Sequence, residues 1–263
     1  GLWEKEIAAL NKPATFSIRV NTLKTNFDII KKMFTDEGIE FSQTELAPEA
    51  LIILSKKNFR HHPAYKNGLF EVQDISSQLV AHLLDVKPGM NVIDGCAGAG
   101  GKTLHIAALM QNTGEILAVD VHEKKMDELE KRAARSGCKI IKPILAEKLN
   151  RHTQGLLQSF ADRILLDVPC SGTGVLRRKP DAKWSLTLKF INELKQNQSQ
   201  SLDEYAPMLR KDGIMVYSTC SIFPSESEEQ VKIFLLRNKS NELLEEKKIS
   251  PAETGFDGFY LAK

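Results

Sequence analysis

The stretch "NVIDGCAGAGGKTLHIAALMQNTGEILAVD", residues 91–120, decides the fold. Its pattern predicts an apolar strand, a glycine-rich loop, a helix and a second strand that ends in Asp120. A strand, a crossover helix and a parallel strand form the repeating unit of an open α/β sheet. The stretch therefore predicts a doubly wound fold whose ligands bind outside the carboxyl ends of the strands.

The alternation of short apolar strands and helices continues to the end of the sequence. Further strands are predicted at 139–145, 162–169, 213–220 and 256–263, and further helices at 122–137, 188–209 and 225–238. This rhythm indicates a parallel sheet with helices on both faces. The preceding residues read as a small α+β unit, with helices at 1–11 and 26–39, strands at 15–22 and 39–46, and then an amphipathic helix at 73–89.

Composition excludes several classes of protein. The 263 residues are 42% hydrophobic and 27% charged, as in ordinary globular chains, and the net charge of +2 neither demands nor excludes nucleic acid. The four cysteines are far apart without a C-x-x-C pair, and the six histidines lack metal-ligand spacing, so no metal is expected. No apolar run approaches membrane-spanning length, which favours a cytoplasmic protein with free thiols.

The glycine-rich loop is the candidate cofactor site. Glycines at positions 95, 98, 100 and 101 allow close backbone approach, but the spacing is neither G-x-G-x-x-G nor a Walker A motif. Asp120, at the end of the next strand, can accept hydrogen bonds from two ribose hydroxyls. A cofactor with an adenosine but no phosphate, such as S-adenosylmethionine, fits this pattern. The alternative is a tight strand–helix turn that is glycine-rich for packing.

Two cysteines follow two separate strands. "RILLDVPCSGTG" (163–174) places Cys170 after one strand, and "GIMVYSTCS" (213–221) places Cys220 after another. Both lie at the strand ends where ligands bind. A buried cysteine is usually a small apolar side chain, which is the interpretation favoured for Cys138 and, apart from a backbone contact, for Cys96.

The chain resembles the Sun-type RNA cytosine-5 methyltransferases, especially the bacterial ribosomal RNA small subunit methyltransferase B group. The matching motifs are "RVNTLK" (19–24), "VQDISSQL" (72–79), "CAGAGGKT" (96–103), "DRILLDVPCSGTGVLRRKPDAKW" (162–184), "YSTCS" (217–221) and "DGFY" (257–260). The resemblance implies a Rossmann-like S-adenosylmethionine-dependent methyltransferase fold at 71–263, with a mostly parallel seven-stranded sheet. It also implies an α+β RNA-recognition-like unit at 1–70.

The resemblance also implies a division of labour among the site residues. Cys220 would be the nucleophile that adds to carbon 6 of cytosine, and Cys170 would assist breakdown of the covalent adduct. Asp167 would contact the ring nitrogen and amino group, with Lys102 directed at the same ring or at Asp167. The expected cofactor-binding residues are Cys96, Ala97, Gly98, Ala99, Gly100, Gly101, Lys102, Asp120, Glu147 and Asp167.

Other segments carry weaker expectations. Arg177, Arg178 and Lys179 are expected to meet RNA phosphates, with a solvated charged turn as the alternative, and Trp184 is expected in the core. A further group matches segments that roof the cofactor pocket or belong to the RNA-recognition-like unit, with helix capping or a structural role as the alternative: Gln73, Asp74, Ser77, Arg19 and Asn21.

Three departures from the family pattern concern Ala99 in place of a proline, Glu147 in place of an adenine-proximal aspartate, and Ser227 in place of an asparagine. Bacterial relatives often carry a helical RNA-binding domain ahead of the first unit, and this sequence is expected to begin after it. The resemblance predicts a monomeric RNA cytosine-5 methyltransferase acting on small-subunit ribosomal RNA. Methylation of transfer RNA, or a non-catalytic RNA-binding assembly factor, are the alternatives, and the pair of cysteines argues against the last.

Overall fold

The computed structural model describes residues 1–55, 58–149 and 151–263. The strands are β1 (Phe16–Val20), β2 (Phe41–Ser42), β3 (Ala50–Ile53), β4 (Phe70–Val72), β5 (Asn91–Asp94), β6 (Glu115–Asp120), β7 (Ile141–Leu145), β8 (Ala161–Asp167), β9 (Leu209–Thr219), β10 (Glu246–Ile249) and β11 (Phe259–Ala262). The helices are α1 (Leu2–Leu10), α2 (Phe27–Asp36), α3 (Pro63–Lys66), α4 (Ile75–Leu83), α5 (Gly101–Leu109), α6 (Glu123–Ser136), α7 (Arg151–Leu156), α8 (Ala182–Ser185), α9 (Leu188–Tyr205), α10 (Glu228–Arg237) and α11 (Pro251–Thr254).

The larger sheet has seven strands in the order β10-β11-β9-β8-β5-β6-β7. The five strands from β9 to β7 pair in parallel, whereas β11 runs antiparallel to β9 and to β10. The predicted mostly parallel, Rossmann-like sheet is therefore confirmed. None of the helices in the described part of the chain is long and apolar enough to cross a membrane.

Helices cover both faces of this sheet, as the buried strands require. On one face, α9 and α10 contribute Leu202 and Phe234 to an apolar cluster with the strand residues Ile93 and Leu166. On the other face, α4 and α5 contribute side chains such as Ile106 to a second cluster. The carboxyl-terminal halves of β5, β8 and β9 are largely buried, and the loops that follow them leave the sheet at this edge.

The smaller sheet is antiparallel, in the order β2-β3-β1-β4, and packs against α2 through Ile30 and Phe34. β4 belongs to this sheet, so the sheet ends at Val72, two residues beyond the predicted boundary. The predicted strand at 39–46 contracts to the two residues of β2. Three strands were not predicted: β3, β4 and β10, the last because its exposed, lysine-rich sequence lacks apolar alternation.

Candidate active site

The glycine-rich loop joins β5 to α5 in a conformation that requires glycine. Gly98 and Gly100 have φ of +55° and +84°, a region that other residues rarely adopt. A Cβ on Gly100 would lie 2.9 Å from Cγ of Leu129 on α6, whereas a Cβ on Gly98 would meet nothing within 4 Å. The loop is thus packed against the protein at Gly100 and open at Gly98.

Asp120, at the end of β6, is the carboxylate predicted beside this loop. It is buried, and its two oxygens accept hydrogen bonds from the backbone N–H groups of Gly98 and His122, both at 2.9 Å. Each carboxylate oxygen has a second lone pair, so both can also accept bonds from ligand hydroxyls. Asp120 therefore orients the loop, and its carboxylate oxygens can still accept hydrogen bonds from ribose hydroxyls.

Asp94, at the end of β5, is almost completely buried. Thr103 Oγ1 donates to its Oδ2 at 2.7 Å, and Oδ1 has no side-chain or backbone hydrogen-bond partner among the described residues. Burial raises the pKa of this carboxyl to about 7. A buried acceptor without a partner beside an open glycine suits a cationic or hydrogen-bond-donating ligand group.

Lys102, Asp167 and Ser218 form a charged group at the ends of β8 and β9. Lys102 Nζ donates to Asp167 Oδ2 at 2.5 Å, and Ser218 Oγ donates to Asp167 Oδ1 at 2.7 Å. Burial lowers the pKa of Lys102, but the adjacent Asp167 carboxylate outweighs burial and the pKa is raised overall. The group therefore holds an ammonium–carboxylate pair where the two strands end.

The two cysteines predicted at the strand ends are in contact. β8 and β9 are adjacent and pair Asp167 with Ser218, so the loops that follow them leave the sheet side by side. Sγ of Cys170 lies 3.4 Å from Sγ of Cys220, and both are free thiols. The hydrogen bond between them lowers the pKa of Cys220, whereas the same bond and burial raise that of Cys170. These opposed directions correspond to a Cys220 thiolate that accepts a hydrogen bond from the Cys170 thiol.

Glu226 ties the two cysteine loops together and was missed by the sequence analysis. Its completely buried carboxylate accepts bonds from Ser171 N–H (2.9 Å), Ser171 Oγ (2.5 Å) and Ser221 Oγ (2.6 Å), and from Gln198 Nε2 (3.2 Å). Ser171 and Ser221 directly follow Cys170 and Cys220. The repeated Cys-Ser pair was the available signal, but nothing in the sequence pointed to its common partner.

The remaining residues of the predicted cofactor set lie around the loop. Ala97 is buried, and Cys96 packs against the core, where burial raises the pKa of its thiol. The carbonyl of Ala99 accepts a bond from Arg132 Nη1 at 2.7 Å. Glu147 is exposed on the turn after β7.

The three residues predicted to contact RNA have different environments in the structure. Arg177 and Arg178 both bind Asp257, through Nε at 2.9 and 2.5 Å, and Arg178 also binds Asp74 at 2.8 Å. The Arg177 side chain is only 3% exposed. Carboxylates of the protein neutralise both arginines, and their contact with RNA phosphates stays a prediction. Lys179 is exposed, as expected.

The structure also shows the positions of the residues for which core packing, helix capping or a structural role was considered. Trp184, expected in the core, is 80% exposed, so that expectation is wrong. Asp74 caps α4 by accepting from Ser76 N–H, and Gln73 Nε2 donates to Ser77 Oγ. Arg19 is buried, and Asn21 donates to backbone carbonyls of Gly68 and Ser136, so both have structural positions.

One cluster of possible metal ligands lies away from the cysteines. Glu49, His82 and His105 place their ligand atoms within 4.8 Å of one another, the one such group found among the described residues. His82 Nε2 is 2.8 Å from Glu49 Oε2, and His105 Nε2 is 3.8 Å from it. The histidines are 23 positions apart on α4 and α5, so sequence spacing gave no sign of this cluster.

Comparison with known proteins assigns a family. A family model described as 16S rRNA methyltransferase RsmB/F matches residues 81–263, and one described as the ferredoxin-like domain of RsmF/B-like methyltransferases matches residues 2–60. The chain belongs to the RsmB/F family of 16S rRNA methyltransferases, which confirms the resemblance drawn from the motifs. S-adenosylmethionine is the cofactor of this family of methyltransferases.

Individual relatives agree with this assignment. The chain is 34% identical to the ribosomal RNA small subunit methyltransferase B of Photorhabdus laumondii, over 99% of this chain and 62% of that protein. It is 37% identical to the probable ribosomal RNA small subunit methyltransferase B of Bacillus subtilis, over 85% of this chain and 49% of that protein. The chain thus spans about half to three fifths of the length of these relatives.

Solved structures show the same fold. A methyltransferase homolog from Pyrococcus horikoshii, 30% identical, superposes with a TM-score of 0.87 and covers 98% of this chain and 88% of that one. The NSun6 protein of the same organism, solved with SFG, is 22% identical and superposes with a TM-score of 0.88 over 98% of this chain and 92% of that one.

Proposed function

We propose that this protein is an S-adenosylmethionine-dependent RNA (cytosine-5)-methyltransferase that acts on small-subunit ribosomal RNA. The observation that carries the proposal is the contact between Cys170 and Cys220, with their opposed pKa shifts, beside the Lys102–Asp167 pair. Carbon 5 of cytosine is a poor nucleophile, and addition of a thiolate to carbon 6 activates it. Membership of the RsmB/F family supports ribosomal RNA as the substrate.

The cofactor would be held at the glycine-rich loop. Gly98 leaves room for close approach, Asp120 can accept from ribose hydroxyls, and the unpartnered Asp94 Oδ1 can accept from a donor on the cofactor. When bound there, S-adenosylmethionine supplies an electrophilic methyl group. The residues around the loop form this cofactor site. Glu147 is exposed, and in this proposal it contacts the adenine at the edge of the site.

Addition of the nucleophile is the first step for the protein's own residues. The Cys220 sulfur forms a bond to carbon 6, and the carbon 5–carbon 6 π electrons move into the ring towards nitrogen 3. Cys220 is poised for this because the Cys170 thiol and the Lys102 ammonium both stabilise a thiolate. The Lys102 ammonium, held by Asp167, can stabilise the negative charge that develops on the ring nitrogen.

Breakdown of the adduct falls to Cys170. Once Cys220 is bonded to carbon, the Cys170 thiol loses the hydrogen bond to the Cys220 thiolate, which is the largest cause of its raised pKa. Cys170 then becomes more acidic, and as a thiolate it can accept the proton from methylated carbon 5. Loss of this proton restores the double bond and expels the Cys220 thiolate. The target base must be single-stranded or flipped out to reach both thiols.

The test is a trapped adduct. Cys170→Ala protein incubated with 16S rRNA and S-adenosylmethionine should give a denaturation-resistant protein–RNA complex on a gel. Cys220→Ala and the double variant should give none, and Cys138→Ala serves as the matched control for thiol loss. An adduct in Cys220→Ala protein would reverse the two roles. Absence of adduct in every variant, with no methyl transfer by the wild type, would contradict the proposal.

Substrate choice needs a separate measurement. Release of tritium from carbon 5 of labelled cytosine should be faster with small-subunit ribosomal RNA than with transfer RNA. Faster release from transfer RNA would leave the proposed cysteine chemistry in place and make transfer RNA the substrate. Failure with both RNAs, but with RNA binding intact, would indicate the non-catalytic assembly factor.

A further inference from the structure

The segment 176–190, which follows the Cys170 loop, exposes an unusual amount of apolar surface. Trp184 on α8 is 80% exposed, and Leu188 and Phe190 in the first turn of α9 are 82% and 39% exposed. These side chains lie close together in the sequence. Burial in the core does not explain them, so they are available to a partner.

The segment is fixed to the active site at its start. Gly174 N–H donates to the carbonyl of Cys220, and Gly258 N–H donates to the carbonyl of Gly174, both at 2.9 Å. Arg177 and Arg178 then bind Asp257. Trp184 is ten residues beyond Gly174, a span of at most about 35 Å even when fully extended, and turns shorten it. The anchored start of the segment therefore limits how far the indole can lie from the two cysteines.

The charge of the segment suits a polyanion. Residues 176–190 contain five basic residues and one acidic residue. Arg177 and Arg178 bind carboxylates of the protein, and Lys189 lies 3.9 Å from Glu193. Lys179 and Lys183 are exposed, and no carboxylate of the described residues lies within ion-pair distance of either. Lys183 Nζ lies 5.1 Å from the Trp184 ring centroid, so a positive charge and an aromatic face are combined.

We propose that Trp184 is a stacking site for a nucleobase of single-stranded RNA next to the target cytosine, with Lys179 and Lys183 contacting the flanking phosphates. This inference rests on the proposed function, whose substrate it refines. An exposed aromatic face surrounded by basic side chains is how proteins hold single-stranded nucleic acid without reading its sequence. The lysines favour RNA over an apolar protein segment as the occupant.

The protein offers a matched optical test, because its two tryptophans are Trp3 and Trp184. Trp3 is also exposed, at 53%, so it serves as the control. A short single-stranded RNA centred on cytosine is titrated into Trp3→Phe and Trp184→Phe proteins, each carrying Cys220→Ala to prevent turnover. Saturable quenching should occur in the Trp3→Phe protein, whose fluorescence reports Trp184, and should be weak in the Trp184→Phe protein.

Affinity provides the second readout. Loss of a stacked base costs roughly 5- to 150-fold in binding, so Trp184→Ala should weaken the RNA complex by that factor while Trp3→Ala does not. Lys179→Gln and Lys183→Gln should each reduce the slope of log affinity against log salt by about 0.7. Thermal unfolding of each variant is followed to show that it is folded.

Equal RNA affinities of Trp184→Ala and Trp3→Ala, without quenching of Trp184, would overturn the stacking site and leave a surface for a protein partner. Binding is measured without turnover, so the two proposals fail separately. Quenching with no methyl transfer in wild-type protein would contradict the proposed activity alone. Methyl transfer without quenching would contradict the stacking site alone.

Discussion

His105 should make the protein lose stability in mild acid. The side chain is 1% exposed on α5, and burial, reinforced by nearby Arg19, lowers its pKa to about 3. The unfolded chain has the ordinary histidine pKa of about 6.5, so acid protonates the unfolded state first. The free energy of unfolding therefore falls as pH drops below about 6.5, and the loss is complete near the folded pKa. Between pH 7 and pH 5 the loss is about 2 kcal/mol.

Glu49, which faces His105, does not change the expected loss of stability between pH 7 and pH 5. Burial raises the pKa of Glu49, but its interactions with the neighbouring His105 and His82 rings outweigh burial and lower it overall. The stabilisation from Glu49 is therefore present above its unfolded pKa of about 4.5 and is lost only below that value. Between pH 5 and pH 7 its contribution is nearly constant.

The assay compares urea unfolding midpoints of wild type, His105→Gln and His61→Gln at pH 7 and pH 5, at one ionic strength. The His105→Gln protein loses the titrating ring, so its stability should depend on pH by about 2 kcal/mol less than that of the wild type. Any packing cost of the substitution appears equally at both pH values. His61 is exposed, and its variant should follow the wild type. An equal loss in wild type and His105→Gln would refute the reasoning.

Three further predictions concern the active site. Glu226→Ala leaves buried donors unpaired and should lower the free energy of unfolding by about 3–5 kcal/mol in urea, whereas Glu229→Ala, exposed in the first turn of α10, should change little. Hydrogen peroxide should oxidise Cys170 and Cys220 to a disulfide, with two molecules of water formed, because their sulfurs are 3.4 Å apart. Titration should then find two free thiols, dithiothreitol should restore four together with methyl transfer, and a count that stays at four would contradict this. Gly100→Ala should weaken binding of S-adenosylmethionine at least about tenfold in calorimetry, because φ is +84° and the Cβ would overlap α6; unchanged affinity would show that the loop can adjust.

The sequence predicted the main sheet well because its strands are buried on both faces. Strands such as β6 and β8 are continuous apolar runs bounded by turn residues, and their shared edge follows from parallel pairing. That edge brings Cys170 and Cys220 together without knowledge of any long-range contact. The short strand β3 was missed because it pairs with the distant β1, and β10 was missed because its exposed, lysine-rich sequence lacks apolar alternation.

Charged and aromatic side chains were harder to place. The run that contains Arg177 and Arg178 has a basic composition, but its neutralising partner, Asp257, is about 80 residues away in the sequence. Trp184 was expected in the core, and the sequence does not indicate whether the helix face that carries it is covered. The role of Glu226 depends on two loops that meet only in the folded chain.

The position of β11 has a consequence for synthesis on the ribosome. This strand is made after every other strand of the sheet, yet it lies between β9 and β10, and its neighbours Asp257 and Gly258 anchor the loop beyond Cys170. A nascent chain that has exposed both cysteines but still holds residues 257–262 in the exit tunnel cannot fix that loop. The loop beyond Cys170 is therefore fixed only once the strand of this sheet that is synthesised last has emerged.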